Sequence, residues 1–172
     1  MVTIEEAIRI SKQEGRCNID LTGVLSDAAL FKQACHDMYE MFEREVFDIV
    51  ISTEISGGIF ASVVADRTNR GMAVVAASAN TSQSDLSCEY QGHHGTVRLK
   101  LNGSAVRPGM KAVIVCDVLR SGKDLRAVID MLGDKGVSVI KIGCFVEDSS
   151  YEARKTLLRG IPLESRMFTD DF

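Results

Sequence analysis

The sequence predicts an α/β fold in which a mostly parallel sheet carries helices on both faces. Short, continuously apolar runs, typical of strands buried on both sides, alternate with stretches that repeat apolar residues every three or four positions. The apolar runs lie at 47–52, 72–76, 111–116 and 137–146. At 172 residues the chain can bury a substantial core. We therefore expect one doubly wound domain spanning residues 1–172.

Helical periodicity and capping signals place the helices between these runs. Thr3 to Glu6 has the pattern of a capping box, and a Gly57-Gly58 turn precedes the third helix. The expected helices run from Thr3 to about Gly15, from Asp27 to Arg44, from Gly58 to about Gly71, around Leu125 to Leu132, and from Ser149 to Arg159. A last strand is expected near Leu163 to Phe168.

The stretch from Ala77 to Gly95 differs in character from the rest of the chain. It is rich in Ser, Asn, Gln, Gly and His, which predicts a loop or projecting flap. Thr96 to Leu101 then alternates like a strand. We expect the flap, with this strand, to cover about 77–101.

Composition narrows the class of function. A net charge of −4 argues against a nucleic-acid binder, because no excess of Lys and Arg is present to displace counterions. No leader and no apolar run of about 20 residues is present, so we expect a cytoplasmic protein without a membrane partner. Cysteine spacing favours buried thiols, and the adjacent His93 and His94 indicate a surface loop. No resident metal site is expected.

The segment 111–146 carries the strongest functional signal. It reads as a buried strand ending in Asp117, a Ser-Gly turn, an amphipathic helix and a second buried strand. A helix start offers unpaired N–H groups and a positive dipole end, which suit a phosphate, and Asp117 is placed to hold a sugar hydroxyl. Ligands of such sheets bind at the carboxyl ends of strands. The loops at 53–58 and 117–124 are therefore expected to converge on one crevice that takes a phosphorylated sugar or nucleotide.

At these residues the chain resembles the type I phosphoribosyltransferases, and the adenine branch most closely. In that family two acids, two apolar residues and a small residue precede Thr-Gly-Gly-Thr or a close variant, and the equivalent stretch here is Cys116 to Asp124. Glu54 to Gly57 stands at the pyrophosphate loop, and Glu89-Tyr90 at the Glu-Tyr pair of the flap. Asp20-Leu21-Thr22 is similar to the segment that precedes the first long helix.

The resemblance implies an enzyme that transfers ribose 5-phosphate from phosphoribosyl pyrophosphate to a purine base. It implies Glu89 and Asp117 as catalytic residues, and a magnesium ion bound with the substrate. The implied phosphate loop is Arg120, Ser121, Gly122, Lys123 and Asp124; the pyrophosphate loop is Glu54, Ile55, Ser56 and Gly57; the base side is Asn18, Ile19 and Tyr90. The flap would exclude water during transfer, and a homodimer is implied.

Departures from the family pattern cluster on the chemistry. Cys116 replaces the first acid, and Asp124 replaces the last threonine, which puts a carboxylate beside a dianionic phosphate. Arg120 and Lys123 could offset that repulsion. Ser56 stands where the family's adenine branch has an arginine, and Ala77-Ser78 stands where it has an Arg-Lys pair. Asn18-Ile19 stands where it has a Phe-Arg pair that stacks on and frames adenine.

Three functions therefore stay open at the level of sequence. The first is an active purine phosphoribosyltransferase, a glycosyltransferase of nucleotide salvage with altered specificity. The second is a non-catalytic nucleotide-binding or regulatory homologue that has lost turnover, and the third is a scaffold that only self-associates.

A purely structural interpretation of the loop at 117–124 is also open. In it the loop binds nothing, Cys116 is a core residue, Asp124 is an N-terminal helix acid and Ser121 caps the helix. Cys116 is a poor candidate nucleophile because an apolar strand and Asp117 would both raise its pKa.

Overall fold

The computed structural model describes residues 2–13, 16–78, 80, 82, 84–92, 95–157 and 160–171. The strands are β1 (Arg9–Gln13), β2 (Arg16–Asp20), β3 (Ile49–Thr53), β4 (Gly71–Ala77), β5 (Asp85–Gly92), β6 (Gly95–Asn102), β7 (Lys111–Leu119), β8 (Ser138–Glu147) and β9 (Leu163–Phe168). The helices are α1 (Ile4–Ala7), α2 (Thr22–Ser26), α3 (Ala28–Glu40), α4 (Glu54–Arg67), α5 (Lys123–Asp134) and α6 (Ala153–Leu157). None of the helices in these ranges is long and apolar enough to cross a membrane.

The central sheet has the strand order β5-β6-β4-β3-β7-β8-β9. Neighbours from β4 to β9 pair in parallel, whereas β5 and β6 form an antiparallel hairpin that joins the sheet through β4. This confirms the predicted α/β class with a hairpin flap. The strand order switches direction at β3: β4, the next strand in the chain, lies on one side of β3, whereas β7, β8 and β9 extend the sheet on the other side. The crevice outside the carboxyl ends of β3 and β7 is thus the expected ligand position.

The core has one layer on each face of the sheet, as the alternation of β7 shows. Val113 and Val115 point into the layer formed with α3 and α4, where Phe42, Phe60 and Phe145 are fully buried. Ala112, Ile114 and Cys116 point into the opposite layer, formed with α5 and the flap. Alternation follows from the two-residue period of a strand.

The amino-terminal segment corrects the sequence prediction of a helix reaching Gly15. The capping box at Thr3 and Glu6 is present, but α1 is a single turn. The chain then becomes extended, and β1 pairs with β2 so that Ile10 lies opposite Ile19. Both isoleucines pack on the α3 and α4 layer. In paired strands successive side chains point to opposite sides, so Ile10 and Ile19 can both turn toward this layer.

Other boundaries also differ from the predictions. Gly57 and Gly58 lie inside α4 rather than in a turn before it, because α4 begins at Glu54. The polar flap is largely strand, since β5 places Leu86, Cys88 and Tyr90 against the α5 layer and exposes the residues between them. The long second helix ends at Glu40, and α6 begins at Ala153 rather than Ser149. The predicted loop at 93–94 lies outside the described residues.

Gly143 gives a test of core packing beside the site. A Cβ built at Gly143 in β8 would lie 2.7 Å from Cε2 of the buried Phe42 and 3.1 Å from Sδ of Met41. We expect Gly143→Ala to lower the free energy of unfolding by about 1–3 kcal/mol through overpacking, measured by urea denaturation. Gly133→Ala is the matched control, because its Cβ meets nothing within 4 Å in α5, and it should stabilise by about 0.4–1 kcal/mol. Equal stability of the two variants would contradict this packing.

Candidate active site

The first wall of the crevice is the turn from β3 into α4. Glu54 has φ of 68°, a left-handed conformation that a non-glycine residue seldom adopts and that costs about 1–3 kcal/mol. The buried Ser52 hydroxyl holds this turn by donating a hydrogen bond of 2.9 Å to the Glu54 carbonyl oxygen. As a result Glu54 and Ser56 are exposed at the carboxyl end of β3.

Gly57 permits close packing between the two walls. A Cβ at this position would lie 3.1 Å from Oγ of Ser52 and 3.3 Å from the carbonyl oxygen of Val115 in β7. A side chain would therefore push the start of α4 away from β7. Close packing thus accounts for a glycine at position 57, within the segment that resembles the family's pyrophosphate loop, whether or not a ligand binds there.

The second wall is the end of β7 and the turn into α5. Strand β7 runs to Leu119, so Asp117 lies within the strand and not after it. Gly122, with φ of 68°, is the residue before the helix and supplies no side-chain cap. Ser121 is therefore not the helix cap that the structural reading predicted. Among the described residues, no backbone N–H from Arg120 to Asp124 donates to a backbone carbonyl.

Asp124 adds an acid to this helix start. It is the acidic residue of the first turn of α5. The amides of the preceding residues, Arg120 to Lys123, have no backbone hydrogen-bond acceptor among the described residues. The helix start thus has free donors on its loop side and an acid of its own beside them.

Negative charge accumulates where the two walls meet. Burial is the main factor that raises the pKa of the Asp124 carboxyl; the charge of Asp117 adds to this, and the backbone amides at the helix start and Arg120 oppose it. Partial desolvation raises the pKa of the Glu54 carboxyl, although much of its side chain is exposed, and the charges of Asp124 and Asp117 act in the same direction. Burial raises the pKa of the Tyr90 hydroxyl, and the charges of Asp124 and Glu54 act in the same direction.

A cavity of about 190 Å³ opens between the walls. Three predicted site residues from separate elements line it, namely Ile19, Ser56 and Asp117. Ser56 and Asp117, one from each predicted loop, therefore line the same cavity, whereas no residue from Leu119 to Asp124 is among its lining residues. Asn18 is exposed and is not among the lining residues.

The cavity is also lined by residues that were not among the predicted site residues. These are Asp20, Leu21, Thr22, Leu25, Ile59, Phe60 and Val118. Asp20 accepts a hydrogen bond of 2.9 Å from the Thr22 backbone N–H. Hydrogen bonding from Thr22, through its side chain first and its backbone second, lowers the pKa of the Asp20 carboxyl. An Asp two residues before a Thr at a helix start was the available signal for this turn.

Glu89 lies away from this cavity. Its carboxylate accepts hydrogen bonds of 2.8 and 2.6 Å from Nε and an Nη of Arg98 on β6. It lines a second cavity, of about 370 Å³, between β5 and α5. The structure therefore does not bring Glu89 together with Asp117, and the next residue, Tyr90, packs on the opposite side of β5 against the α5 layer.

Cys116 is buried behind the site. Its thiol points to the carbonyl oxygen of Gly143 and contacts Cys144, its register partner on β8. The hydrogen bond with Cys144 and then burial raise the pKa of the Cys116 thiol well above its usual value. This agrees with its prediction as a core residue and with its rejection as a nucleophile. No group of three His, Cys, Asp or Glu side chains arranged to hold a metal occurs in the part of the chain that the structure describes.

Comparison with known proteins decides the family. Residues 23–162 match the model of the phosphoribosyl transferase domain. The chain belongs to the phosphoribosyltransferase family. A relative from Thermotoga maritima, an adenine phosphoribosyltransferase, is 33% identical over 146 residues, which is 84% of each chain.

Solved structures place this phosphoribosyltransferase in the adenine group. The adenine phosphoribosyltransferase of Thermoanaerobacter pseudethanolicus superposes with a TM-score of 0.88 at 28% identity, covering 96% of this chain and 97% of that one. The Giardia lamblia enzyme, complexed with 9-deazaadenine, shares the fold with a TM-score of 0.87 at 18% identity, covering 98% of each chain. The protein is thus a purine phosphoribosyltransferase-like protein similar to the adenine enzymes.

The packing of Gly57 predicts a difference between two neighbouring glycines of this phosphoribosyltransferase. Gly57→Ala should destabilise the protein by about 1 kcal/mol, because Ser52 or β7 must move. Gly58→Ala is the matched control, since its Cβ meets only Oγ of Ser52 at 3.9 Å, an ordinary contact. The measurement is the urea midpoint of each variant, and a Gly57→Ala protein as stable as Gly58→Ala would refute the close contact.

The raised pKa of Asp124 predicts a pH-dependent effect of its removal. Above that pKa the folded protein holds a buried charge, whereas below it the carboxyl is neutral and the penalty disappears. Asp124→Asn should therefore raise Tm at pH 8 by about 2–4 °C, the shift expected for about 1 kcal/mol in a chain of this size. The difference from wild type should shrink as pH falls toward the ordinary carboxyl range, as measured by calorimetry. A difference that stays constant from pH 8 to pH 4.5 would be the contrary result.

Proposed function

We propose that this protein is a purine phosphoribosyltransferase of the adenine type, which transfers ribose 5-phosphate from phosphoribosyl pyrophosphate to a nucleobase and releases pyrophosphate. The observation that carries the proposal is the cavity beside the start of α4 and the end of β7, lined by Ile19, Ser56 and Asp117. Family membership supplies the reaction class. Nothing in the comparisons favours the alternative of a binding protein without turnover.

The loop after β7 is proposed to hold the 5′-phosphate. The N–H groups of Arg120, Ser121, Gly122 and Lys123, which have no backbone partner among the residues that the structure describes, are donors suited to an anion. The exposed side chains of Arg120 and Lys123 add positive charge. Asp124 completes this loop. Asp117 lines the cavity and is proposed to accept hydrogen bonds from the ribose hydroxyls.

The turn of Glu54, Ile55, Ser56 and Gly57 is proposed to hold the departing pyrophosphate. Its left-handed residue and its start of α4 present backbone donors at the crevice. A magnesium ion is proposed to enter with the substrate and to neutralise diphosphate charge. Hard carboxylate oxygens of Glu54 and Asp117 fit such an ion chemically.

The base is proposed to lie on the side of Ile19, with Asn18 at the entrance and Tyr90 supplied by the flap. A catalytic role for Glu89 requires the flap to move, because its carboxylate is held by Arg98. That ion pair is about half exposed at both side chains, so breaking it costs at most about 1 kcal/mol. The loss of this ion pair therefore adds only a small energetic cost to the proposed movement of the flap.

We also propose that the partners are small molecules and neither nucleic acid nor membrane, and that the protein is a single-domain homodimer of the cytoplasm. The net charge of −4 supports the exclusion of nucleic acid. The family resemblance supports the dimer and the compartment.

Pyrophosphate release tests the proposed function. The protein is incubated with magnesium, phosphoribosyl pyrophosphate and adenine, then with a panel of other bases. We expect turnover, and we expect Asp117→Asn to lower kcat/KM by about 10- to 100-fold, since hydrogen bonds to a charged group are worth about 1.5–3 kcal/mol. Asp134→Asn, an exposed substitution at the far end of α5, is the charge-matched control and should keep full activity.

Two results would count against the proposal. Absence of pyrophosphate release with every base would exclude the enzyme. Turnover that Asp117→Asn leaves unchanged would exclude the ribose role of Asp117 and move the reaction to another surface.

A further inference from the structure

The flap carries positive charge beside the place where the family pattern lacks it. Ala77-Ser78, at the end of β4, stands where the adenine branch has an Arg-Lys pair. In the structure the backbone N–H of Ser78 donates a hydrogen bond of 3.1 Å to the carbonyl oxygen of Arg98, and Ala76 is in register with Lys100. The arginine and the lysine of β6 therefore lie next to the end of β4.

Both of these side chains lie on the face of the sheet that carries α4. Val97, Leu99 and Leu101 of β6 point into the layer formed with α5, so alternation turns Arg98 and Lys100 to the other face. On that face β4 packs against α4. Strand β4 alone separates β6 from β3, the strand that leads into the proposed pyrophosphate turn, so the lateral distance is two strand spacings, or about 10 Å.

Pyrophosphate at this turn needs positive charge that the turn and its neighbouring strand do not supply. The segment from Glu54 to Gly57 contains an acid and no basic residue, and β4 contains no charged residue. Asp117 adds a second acid to the cavity that Ser56 lines. The proposed function already assigns Arg120 and Lys123 to the 5′-phosphate. A departing diphosphate also carries more negative charge than one magnesium ion neutralises.

Arg98 is the cation of β6 that can change partners at low cost. Its Nε and one Nη donate hydrogen bonds of 2.8 and 2.6 Å to Oε1 of Glu89, its register partner on β5. Both side chains of this pair are about half exposed, and exposed ion pairs are weak. Lys100 is instead held within the flap, because its Nζ donates to the carbonyl oxygen of Asn80 at 3.2 Å and lies 3.9 Å from Asp85.

We propose that Arg98 binds the departing pyrophosphate, exchanging the carboxylate of Glu89 for the diphosphate when the flap closes over the crevice. The inference rests on the proposed function, because it takes the position of pyrophosphate from it. A guanidinium suits this exchange, since its fork of N–H groups matches the oxygens of a phosphate as well as those of a carboxylate. The same exchange releases the carboxylate of Glu89, whose proposed catalytic role requires the flap to move.

Binding of magnesium pyrophosphate to the full chain tests this assignment, with AMP as the reference ligand. Both ligands are titrated calorimetrically at one fixed salt concentration. Arg98→Gln should weaken pyrophosphate binding by about 10- to 100-fold, the size expected when hydrogen bonds between a charged donor and an anion are lost. The affinity for AMP should stay at the wild-type value, because AMP carries only the 5′-phosphate.

Three further variants separate positive charge at residue 98, competition by Glu89 and net charge. Arg98→Lys keeps the positive charge and should recover part of the lost affinity for pyrophosphate. Glu89→Gln removes the competing carboxylate and should tighten pyrophosphate binding by about two- to fivefold, since an exposed ion pair contributes little. Arg44→Gln removes an exposed arginine that pairs with Glu43 ahead of β3, at the end of the sheet opposite the crevice, and should change neither affinity.

The outcomes separate this inference from the proposed function. If wild type binds AMP, and Arg98→Gln binds pyrophosphate as tightly as wild type does, the inference fails and the function stands. Equal losses for pyrophosphate and AMP, an equal loss in Arg44→Gln, an Arg98→Lys protein as weak as Arg98→Gln, or an unchanged affinity in Glu89→Gln would each overturn it as well. If wild type neither binds AMP nor releases pyrophosphate with any base, the proposed function fails, and this inference fails with it.

Discussion

The parallel pairing of β3 with β7 is the constraint on which the rest of the structure depends. Ile49 to Ser52 lie in register with Ala112 to Val115, so the two strands end at the same edge of the sheet. Because β4 and β7 lie on opposite sides of β3, the connections leaving β3 and β7 diverge and open a crevice there. The close approach of Gly57 to the carbonyl of Val115 then sets the width of that crevice. A side chain on α4 and a side chain on β7 can therefore meet one ligand although they are about 60 residues apart in the chain.

The parts of the fold that could be predicted are those with a strong local period. The buried strands and the amphipathic α5 follow directly from apolar runs and from spacing, and Leu163 to Phe168 was placed without error. The amino-terminal hairpin could not be predicted in this way. Its pairing of Ile10 with Ile19 depends on a core supplied by distant helices, whereas the capping box at Thr3 is a local signal that favours a helix. The local signal was correct about the cap and wrong about the length.

The candidate site likewise has features that could be predicted from the sequence and features that could not. That Ser56 and Asp117 would share a crevice follows from topology and could be predicted. The left-handed backbone of Glu54 could not, since it depends on the Ser52 hydroxyl and on tertiary contacts. Nor could the position of Glu89, because alternation along β5 puts it on the face opposite Tyr90, and Arg98 then holds it. The charge at Asp124 was visible in the sequence, but the burial that raises the pKa of its carboxyl depends on the tertiary structure.

The departures at Cys116 and Asp124 have different physical consequences because they face different surroundings. Successive strand residues point to opposite faces, so Asp117 lines the cavity while Cys116 points into the layer beneath the flap. An acid at residue 116 would be a charge buried in the same layer as Cys144 and Leu119, and the thiol removes that penalty. Asp124 instead lies in the first turn of α5, where the positive end of the helix dipole favours an acid. Both departures therefore suit the scaffold, and scaffold and site are not separate in this fold, because core residues such as Ile19 and Phe60 also line the cavity.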